Sequence, residues 1–184
     1  MKNIIVISGH TDLATSVANK TILDTLAQEL PDAGIVKLDS LYPDFNIDVE
    51  AEQQRLLGAD IIVFEFPIFW YSWPSMLHRY VEEVFQHGFS HGTTGDKLKG
   101  KKLVLSFTTG APAEAYTHDA MGLTVDDLLL PAKATCSLTQ MQFAGEVHTC
   151  GVSYGNRTDE AKIREQEEVC RRHARRLAEL LSSL

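Results

Sequence analysis

Hydrophobic positions along this chain switch repeatedly between short β-branched runs and apolar residues spaced for one face of a helix, and that switching sets the expected architecture. Asn3, Ile4, Ile5, Val6 and Ile7 form a compact run that stops at Ser8-Gly9, the pattern of a strand buried on both faces and ended by a turn. Over 16–30, Val17, Ile22, Leu23, Leu26, Ala27 and Leu30 lie on one side of a helix that Pro31-Asp32-Ala33-Gly34 breaks. A second strand is expected over 34–41, a short helix over 51–57, and a strongly apolar third strand over 59–64 running up to Pro67.

Helical spacing resumes over 74–85 through Met76, Leu77, Tyr80, Val81, Val84 and Phe85, and 101–107 reads as a fourth strand ending at Thr108-Thr109-Gly110. A helix is expected over 123–138. A weaker fifth strand follows over 143–152, interrupted by Gly145 and Glu146. The last segment puts Ile163, Cys170, Ala174, Leu177, Leu181 and Leu184 on one stripe with charges elsewhere, as a helix lying on a sheet does. Five strands alternating with helices predict an α/β fold: a doubly wound five-stranded parallel sheet with helices on both faces, in a single domain over 1–184 without repeat or linker.

Composition narrows the class further. A 184-residue chain with 44% hydrophobic and 23% charged residues can bury a full core without disulfides or metal. Its net charge of -8 speaks against a nucleic-acid partner, which would need clustered Lys and Arg. No apolar run approaches bilayer-crossing length and the first residues lack a signal-peptide pattern, so a cytoplasmic protein is expected. Cys136, Cys150 and Cys170 are odd in number and lack CxxC spacing, which suits reduced packing residues. His87 and His91 stand four apart, but Gly88 and Gly92 undermine a helix there and no carboxylate completes a ligand set, so no metal is expected. His78, His148 and His173 read as structural or solvent-facing.

Sheets of this kind bind ligands outside the carboxyl ends of their strands, which directs attention to three loops. The first, 8–19, is polar, and Ser16, Val17, Ala18 and Asn19 would present amide N–H groups at a helix N-terminus. It reads equally as an anion site and as a capped helix start; it carries neither a dinucleotide glycine fingerprint nor a P-loop. The second, 67–74, places Phe69, Trp70, Tyr71 and Trp73 in one short connection. A flat ligand, a dimer interface and a satellite core cluster all account for them. In the third, Thr108, Thr109, Gly110 and Ala111 offer two hydroxyls and a glycine where backbone could approach a heterocycle.

Those three segments, with Pro67 and Ile68 opening the second, resemble the flavin loops of the NAD(P)H:quinone oxidoreductase family of flavodoxin-like proteins. The run Leu41, Tyr42, Pro43, Asp44, Phe45, Asn46, Ile47, Asp48, together with Ala51-Glu52-Gln53 and Val84-Phe85-Gln86-His87-Gly88, is similar to the ancillary oxidoreductases of glutathione-gated potassium efflux systems. The resemblance implies a flavodoxin-like homodimer that binds FMN, with FAD disfavoured by the chain's shortness, and moves hydride from NAD(P)H to quinone-like acceptors. It implies that His10 and Ser16 to Asn19 hold the phosphate and ribityl chain, that Ile68, Phe69, Trp70 and Tyr71 flank the isoalloxazine, and that Thr108 to Ala111 meet its polar edge. It places Tyr116 over the flavin as a hydrogen-bond donor to a reduced quinone oxygen.

Two departures accompany it: Ala111 stands where many members have a second glycine, and the histidine partner of the active-site tyrosine has no equivalent at Gly122, with His118 displaced. The same resemblance leaves a second function open, that of a regulatory subunit of a membrane potassium efflux transporter at the inner face of the cell membrane, with reductase activity secondary.

Overall fold

The structure, a computed structural model, describes residues 2–184. Strands β1 (Ile4–Ser8), β2 (Gly34–Lys37), β3 (Ile61–Pro67), β4 (Lys102–Thr108) and β5 (Gln142–Thr149) pair in parallel in the order β2-β1-β3-β4-β5. This is the doubly wound, flavodoxin-like arrangement, with the strand order reversing between β1 and β3. The helices are α1 (Ala18–Glu29), α2 (Leu38–Leu41), α3 (Val49–Gly58), α4 (Ser75–Val84), α5 (Leu130–Thr139) and α6 (Glu160–Ser183).

The period of 2 along each strand divides the core between the two faces of the sheet. Val6, Ile61, Val63 and Val104 meet Ile22, Leu23 and Leu26 of α1 and Cys170, Ala174 and Leu177 of α6. Ile5, Ile7, Ile62, Phe64, Leu103 and Leu105 point the other way, onto Leu38 of α2, Leu56 of α3, Leu77 and Tyr80 of α4, and Ala132 and Cys136 of α5. The continuous apolar runs in β1, β3 and β4 follow directly, since both faces of these strands are covered.

Two expected elements are redrawn. The second strand stops at Lys37 and the chain turns into α2, because Asp39 is drawn to the first loop, where its Oδ2 accepts the Leu13 N–H at 2.7 Å. The helix expected over 123–138 is α-helical only from Leu130; a proline ring is tolerated in a helix's first turn and not beyond it, and Pro131 fixes that turn. The residues before it, Asp126–Leu129, form a 3-10 turn under a clasp in which Asp127 Oδ2 accepts the Thr124 N–H at 2.7 Å. Gly145, at φ 134°, sits where the β4–β5 register slips, which explains the weak strand signal there.

Three tyrosine and carboxyl groups tie the outer helices together. Glu52 of α3 is fully buried and accepts from Tyr42 Oη at 2.8 Å and from Tyr80 Oη of α4 at 3.3 Å. Burial first, and then the Glu52 hydrogen bond, push the Tyr42 phenol up to about 12.

Candidate functional site

Pairing in register brings the carboxyl ends of β1, β3, β4 and β5 to one edge, and a cavity of about 370 Å³ opens there. Gly9 lets the chain leave β1 tightly: a side chain at this position would begin 2.7 Å from Leu77 Cβ, so the first loop can pass over α4 only with glycine there. His10, Thr11, Asp12 and Thr15 then line the cavity, and Ser16, Val17, Ala18 and Asn19 carry the wall into the first turn of α1. His10 Nδ1 accepts the Asp12 N–H at 3.0 Å, which fixes the ring; burial lowers its pKa against the opposing pull of Asp39 and Asp12.

At the start of α1, Val17 occupies the N-cap position and makes no side-chain cap, which leaves the first-turn N–H groups other than that of Asn19 as donors at the cavity wall. Ser16 Oγ accepts the Asn19 N–H at 3.1 Å and holds the turn in shape. This N-terminus, with its positive dipole end, suits an anionic group.

Opposite, Pro67, Ile68 and Phe69 form an apolar wall, and the Phe69 ring stands edge-on to His10 with centroids 5.6 Å apart. The strand end is pinned by the Ile68 N–H donating to the Thr108 carbonyl at 2.7 Å. Phe69 and Ser72 exchange both backbone hydrogen bonds, at 3.0 and 3.1 Å, and the two residues between them, Trp70 and Tyr71, have φ of 49° and 64°. That turn throws their rings outward: Trp70 is 94% exposed and Tyr71 52%.

Thr108, Thr109 and Gly110 line the third side, and a side chain at Gly110 would meet nothing within 4 Å, so the backbone there is open to close approach. Thr109 Oγ1 turns back to the Ala111 carbonyl at 2.9 Å. Ala111 itself packs against the core, where its carbonyl also accepts the Gly151 N–H at 2.8 Å.

The structure therefore gathers His10, Ser16, Val17, Ala18, Asn19, Pro67, Ile68, Phe69, Thr108, Thr109 and Gly110 around one space. Trp70, Tyr71, Ala111 and Tyr116 are not part of that lining. Tyr116 is buried in the core cluster just beyond the third loop.

Sequence reasoning missed a fourth contributor, the segment after β5. Val152, Ser153, Tyr154, Arg157 and, from α6, Gln166 complete the cavity. The guanidinium of Arg157 is the one Lys or Arg group in the lining. The rule that ligands sit at strand ends applied to β5 as well, but the weak pattern of that strand hid where it stopped.

Beneath the lining lies a second missed residue. Glu65 of β3 is fully buried, and Asn19 Nδ2 donates to its Oε1 at 2.7 Å. Burial raises its pKa to about 8, against the lowering effect of its hydrogen bonds with Asn19 and Ser8. Deep on the same face, the imidazole of His173 bridges Ser106 Oγ and Thr149 Oγ1, both at 2.9 Å, and burial, assisted by Arg176 and His148, drops its pKa to about 3.

Among the described residues no helix is long and apolar enough to cross a membrane, and no group of three or more His, Cys, Asp or Glu side chains could hold a metal ion.

The family model for the flavodoxin-like fold matches residues 2–174. An uncharacterized NAD(P)H oxidoreductase of Bacillus subtilis, YrkL, is 40% identical over 144 residues, covering 78% of this chain and 82% of that protein. The glutathione-regulated potassium-efflux system ancillary protein KefG of Enterobacter sp. is 33% identical over 181 residues, covering 98% and 93%. Among solved structures, general stress protein 14 of Treponema denticola in complex with FMN superposes with a TM-score of 0.84 at 30% identity, covering 98% of this chain and 99% of that one. Its strand order, its strand-end cavity and these likenesses make this chain a member of the flavodoxin-like NAD(P)H oxidoreductase family.

Proposed function

We propose that this protein is an NAD(P)H-dependent flavoenzyme that holds FMN in the strand-end cavity and reduces quinone-like acceptors. The observation that carries this reading is the pairing, within one cavity, of a helix N-terminus whose first turn Ser16 caps only at the Asn19 amide with an apolar wall and an open glycine backbone. An anionic phosphate and a flat heterocycle ask for those two environments, and the volume falls within the range of small-molecule sites.

The phosphate end is assigned to the first-turn amides of α1, Ser16 and Arg157, with His10 kept neutral beside it by burial. Ile68 and Phe69 would cover one face of the ring system, and the backbone of Gly110 would donate to or accept from its polar edge, the Thr109 N–H and carbonyl being held by Thr149 and Val152. When bound, FMN supplies the redox chemistry, taking hydride from NAD(P)H and delivering it to the acceptor. The protein's own part is to orient the rings, to exclude water with the apolar wall and to place amide donors where negative charge collects. Tyr116, whose ring packs in the core cluster beyond the third loop and outside the cavity lining, is the side chain that the family resemblance assigns to hydrogen-bond a reduced acceptor oxygen; on that assignment Tyr116→Phe should lower acceptor turnover and leave FMN binding intact.

Trp70 and Tyr71, set outward at the rim, supply a surface for a second copy of the chain, whose approach would close the cavity and bring these rings to the bound ligand. KefG, an ancillary protein of a potassium efflux system, supports a second role as a transporter's peripheral subunit, tested by co-purification with such a transporter.

The deciding experiment is the absorbance spectrum of the purified protein, identification of the released flavin, and steady-state turnover with NADPH or NADH and a soluble quinone. A yellow, FMN-loaded protein that oxidises NAD(P)H is expected. A protein that stays colourless after incubation with FMN overturns the reading.

A further inference from the structure

Across the α1 and α6 face, one polar row interrupts an otherwise apolar sheet. In register, Ser8 of β1 stands beside Glu65 of β3, and Glu65 beside Ser106 of β4. Glu65 is fully buried, and the groups acting on it are the neutral side chains of Asn19 and Ser8, with no Lys, Arg or His among the described residues paired to it. Its partners are neutral: Asn19 Nδ2 at 2.7 Å on Oε1 and Ser8 Oγ at 3.4 Å on Oε2.

The Asn19 amide is the hinge between this carboxyl and the cavity. While Nδ2 is committed to Glu65, Oδ1 accepts from Ser16 Oγ and from Thr108 Oγ1, both at 3.3 Å. Ser16 and Thr108 both line the cavity, one on the first loop and one on the third. A single buried carboxyl therefore sets the orientation of the side chain that links two of the ligand loops.

The groups on every element packed around Glu65 leave its charge uncompensated. From α6, Cys170 is a buried thiol pushed up to about 12 by burial and then by Glu65, and His173 is held neutral and spent on Ser106 and Thr149. Glu167 and Arg171 pair with each other at 2.9 Å on the outer side of α6. On α1, Lys20 is exposed and paired with Asp24 at 2.8 Å. Around Glu65, β1 and β4 present Ser8, Ser106 and Thr108 on this face, and the β4 cation on the same face, Lys102, lies at the far end of the strand with its Nζ on the Leu184 carbonyl at 2.8 Å. A carboxylate here would be a buried charge with no cation, directly behind a site built for an anion.

We propose that Glu65 is a positioning residue that works as a neutral carboxylic acid, orienting Asn19 beneath the phosphate end of the cavity, so that anion binding there depends on Glu65 keeping its proton. With the proton on Oε2, that oxygen donates to Ser8 Oγ while Oε1 still accepts from Asn19. Loss of the proton sets a negative charge a few bonds behind the α1 N-terminus and opposes the phosphate. Its pKa of about 8 puts the change within reach of ordinary buffers.

The inference rests on the FMN reading for its ligand, and the test separates the two. FMN affinity is measured by quenching of flavin fluorescence from pH 7 to 9, above the second ionisation of the phosphate, for the wild type and for Glu65→Gln, with riboflavin as the probe lacking the phosphate. The wild-type dissociation constant for FMN should rise by about tenfold over that range if only the protonated form binds well. Glu65→Gln, which keeps the shape and cannot ionise, should show a flat profile, and riboflavin should show no such rise with either protein. A flat wild-type profile, or the same slope in Glu65→Gln, overturns the proposal. Flavin-free protein gives an independent reading: the infrared difference between wild type and Glu65→Gln at pH 7 should contain the carbonyl stretch of a protonated carboxylic acid, and a carboxylate signature instead overturns the proposal whether or not FMN binds. Absence of FMN binding alongside the carboxylic-acid band would sink the FMN reading alone.

Discussion

The guanidinium carbon of Arg157 lies 3.4 Å from the centroid of the Tyr154 ring, so the cation that faces the cavity is laid flat on an aromatic plate. Stacking of this kind holds a long, rotamer-rich side chain ready with less entropy to lose on binding. Charge-assisted hydrogen bonds contribute roughly 1.5–3 kcal/mol, so Arg157→Ala should weaken FMN binding by about 10- to 100-fold while changing riboflavin affinity little. Fluorescence titration with both ligands checks this. Equal losses for FMN and riboflavin would remove Arg157 from the phosphate end.

Gly9 offers a test of how the first loop is seated. Gly9→Ala places a methyl 2.7 Å from Leu77 Cβ, a contact that neither strand end nor helix can relieve by rotating a side chain. Overpacking of this kind costs about 1–3 kcal/mol, and urea unfolding should record a loss in that range.

Two buried groups bend the pH dependence of stability in opposite directions. Glu65, raised from 4.5 to about 8, binds a proton in the folded state that the unfolded chain has released between those values, so its contribution to stability is complete below 4.5 and is lost as pH rises through 8. His173, lowered from 6.5 to about 3, refuses a proton that the unfolded chain binds, so its contribution is lost as pH falls from 6.5 towards 3. Each effect amounts to about 1.4 kcal/mol per pH unit inside its window. Thermal melts of Glu65→Gln from pH 6.5 to 8.5 should lose the alkaline decline, and unfolding of the wild type should steepen below pH 5.

Asn19→Ala should cost both fold and ligand. It removes the donor to Glu65 and the acceptor for Ser16 and Thr108 together, leaving buried polar groups unpaired at about 1–3 kcal/mol. Asn19→Asp keeps the size but faces Glu65 with a second acid, and it should be the less stable of the two above pH 7. Chemical denaturation of both variants at pH 6 and pH 8 decides the order.

Much of this was legible in the chain itself, for reasons that differ by element. Strands β1, β3 and β4 announce themselves because burial on both faces leaves no polar alternation to confuse the pattern, and α6 because a long amphipathic helix repeats its stripe many times. The end of β2 and the start of α5 were hidden, since Asp39 reaching the Leu13 amide and Pro131 confining a helix's first turn act through geometry that spacing does not reveal. At the site, the three loops could be read from their positions at strand ends. Glu65 could not: in an apolar strand it reads as one polar exception, and only pairing in register shows it beside Ser8 and Asn19. Tyr116 shows the opposite limit, a residue placed by resemblance whose ring the fold buries in its core.

The turn at Trp70 and Tyr71 carries a consequence for how this protein could be improved and what that would lose. Two consecutive left-handed residues closed by a pair of backbone hydrogen bonds make a type I′ turn, whose favoured occupants are Asn and Gly. Holding two bulky L-residues there costs about 1–2 kcal/mol each, with almost no burial of Trp70 and only half of Tyr71 covered to offset it. The rim is therefore tuned away from maximal stability, and Trp70→Asn combined with Tyr71→Gly should raise the melting temperature by several degrees. If the two rings serve a bound ligand or a second copy of the chain, that hardier variant should also be a monomer with weakened flavin affinity, a trade-off that size-exclusion chromatography and titration would read in one preparation.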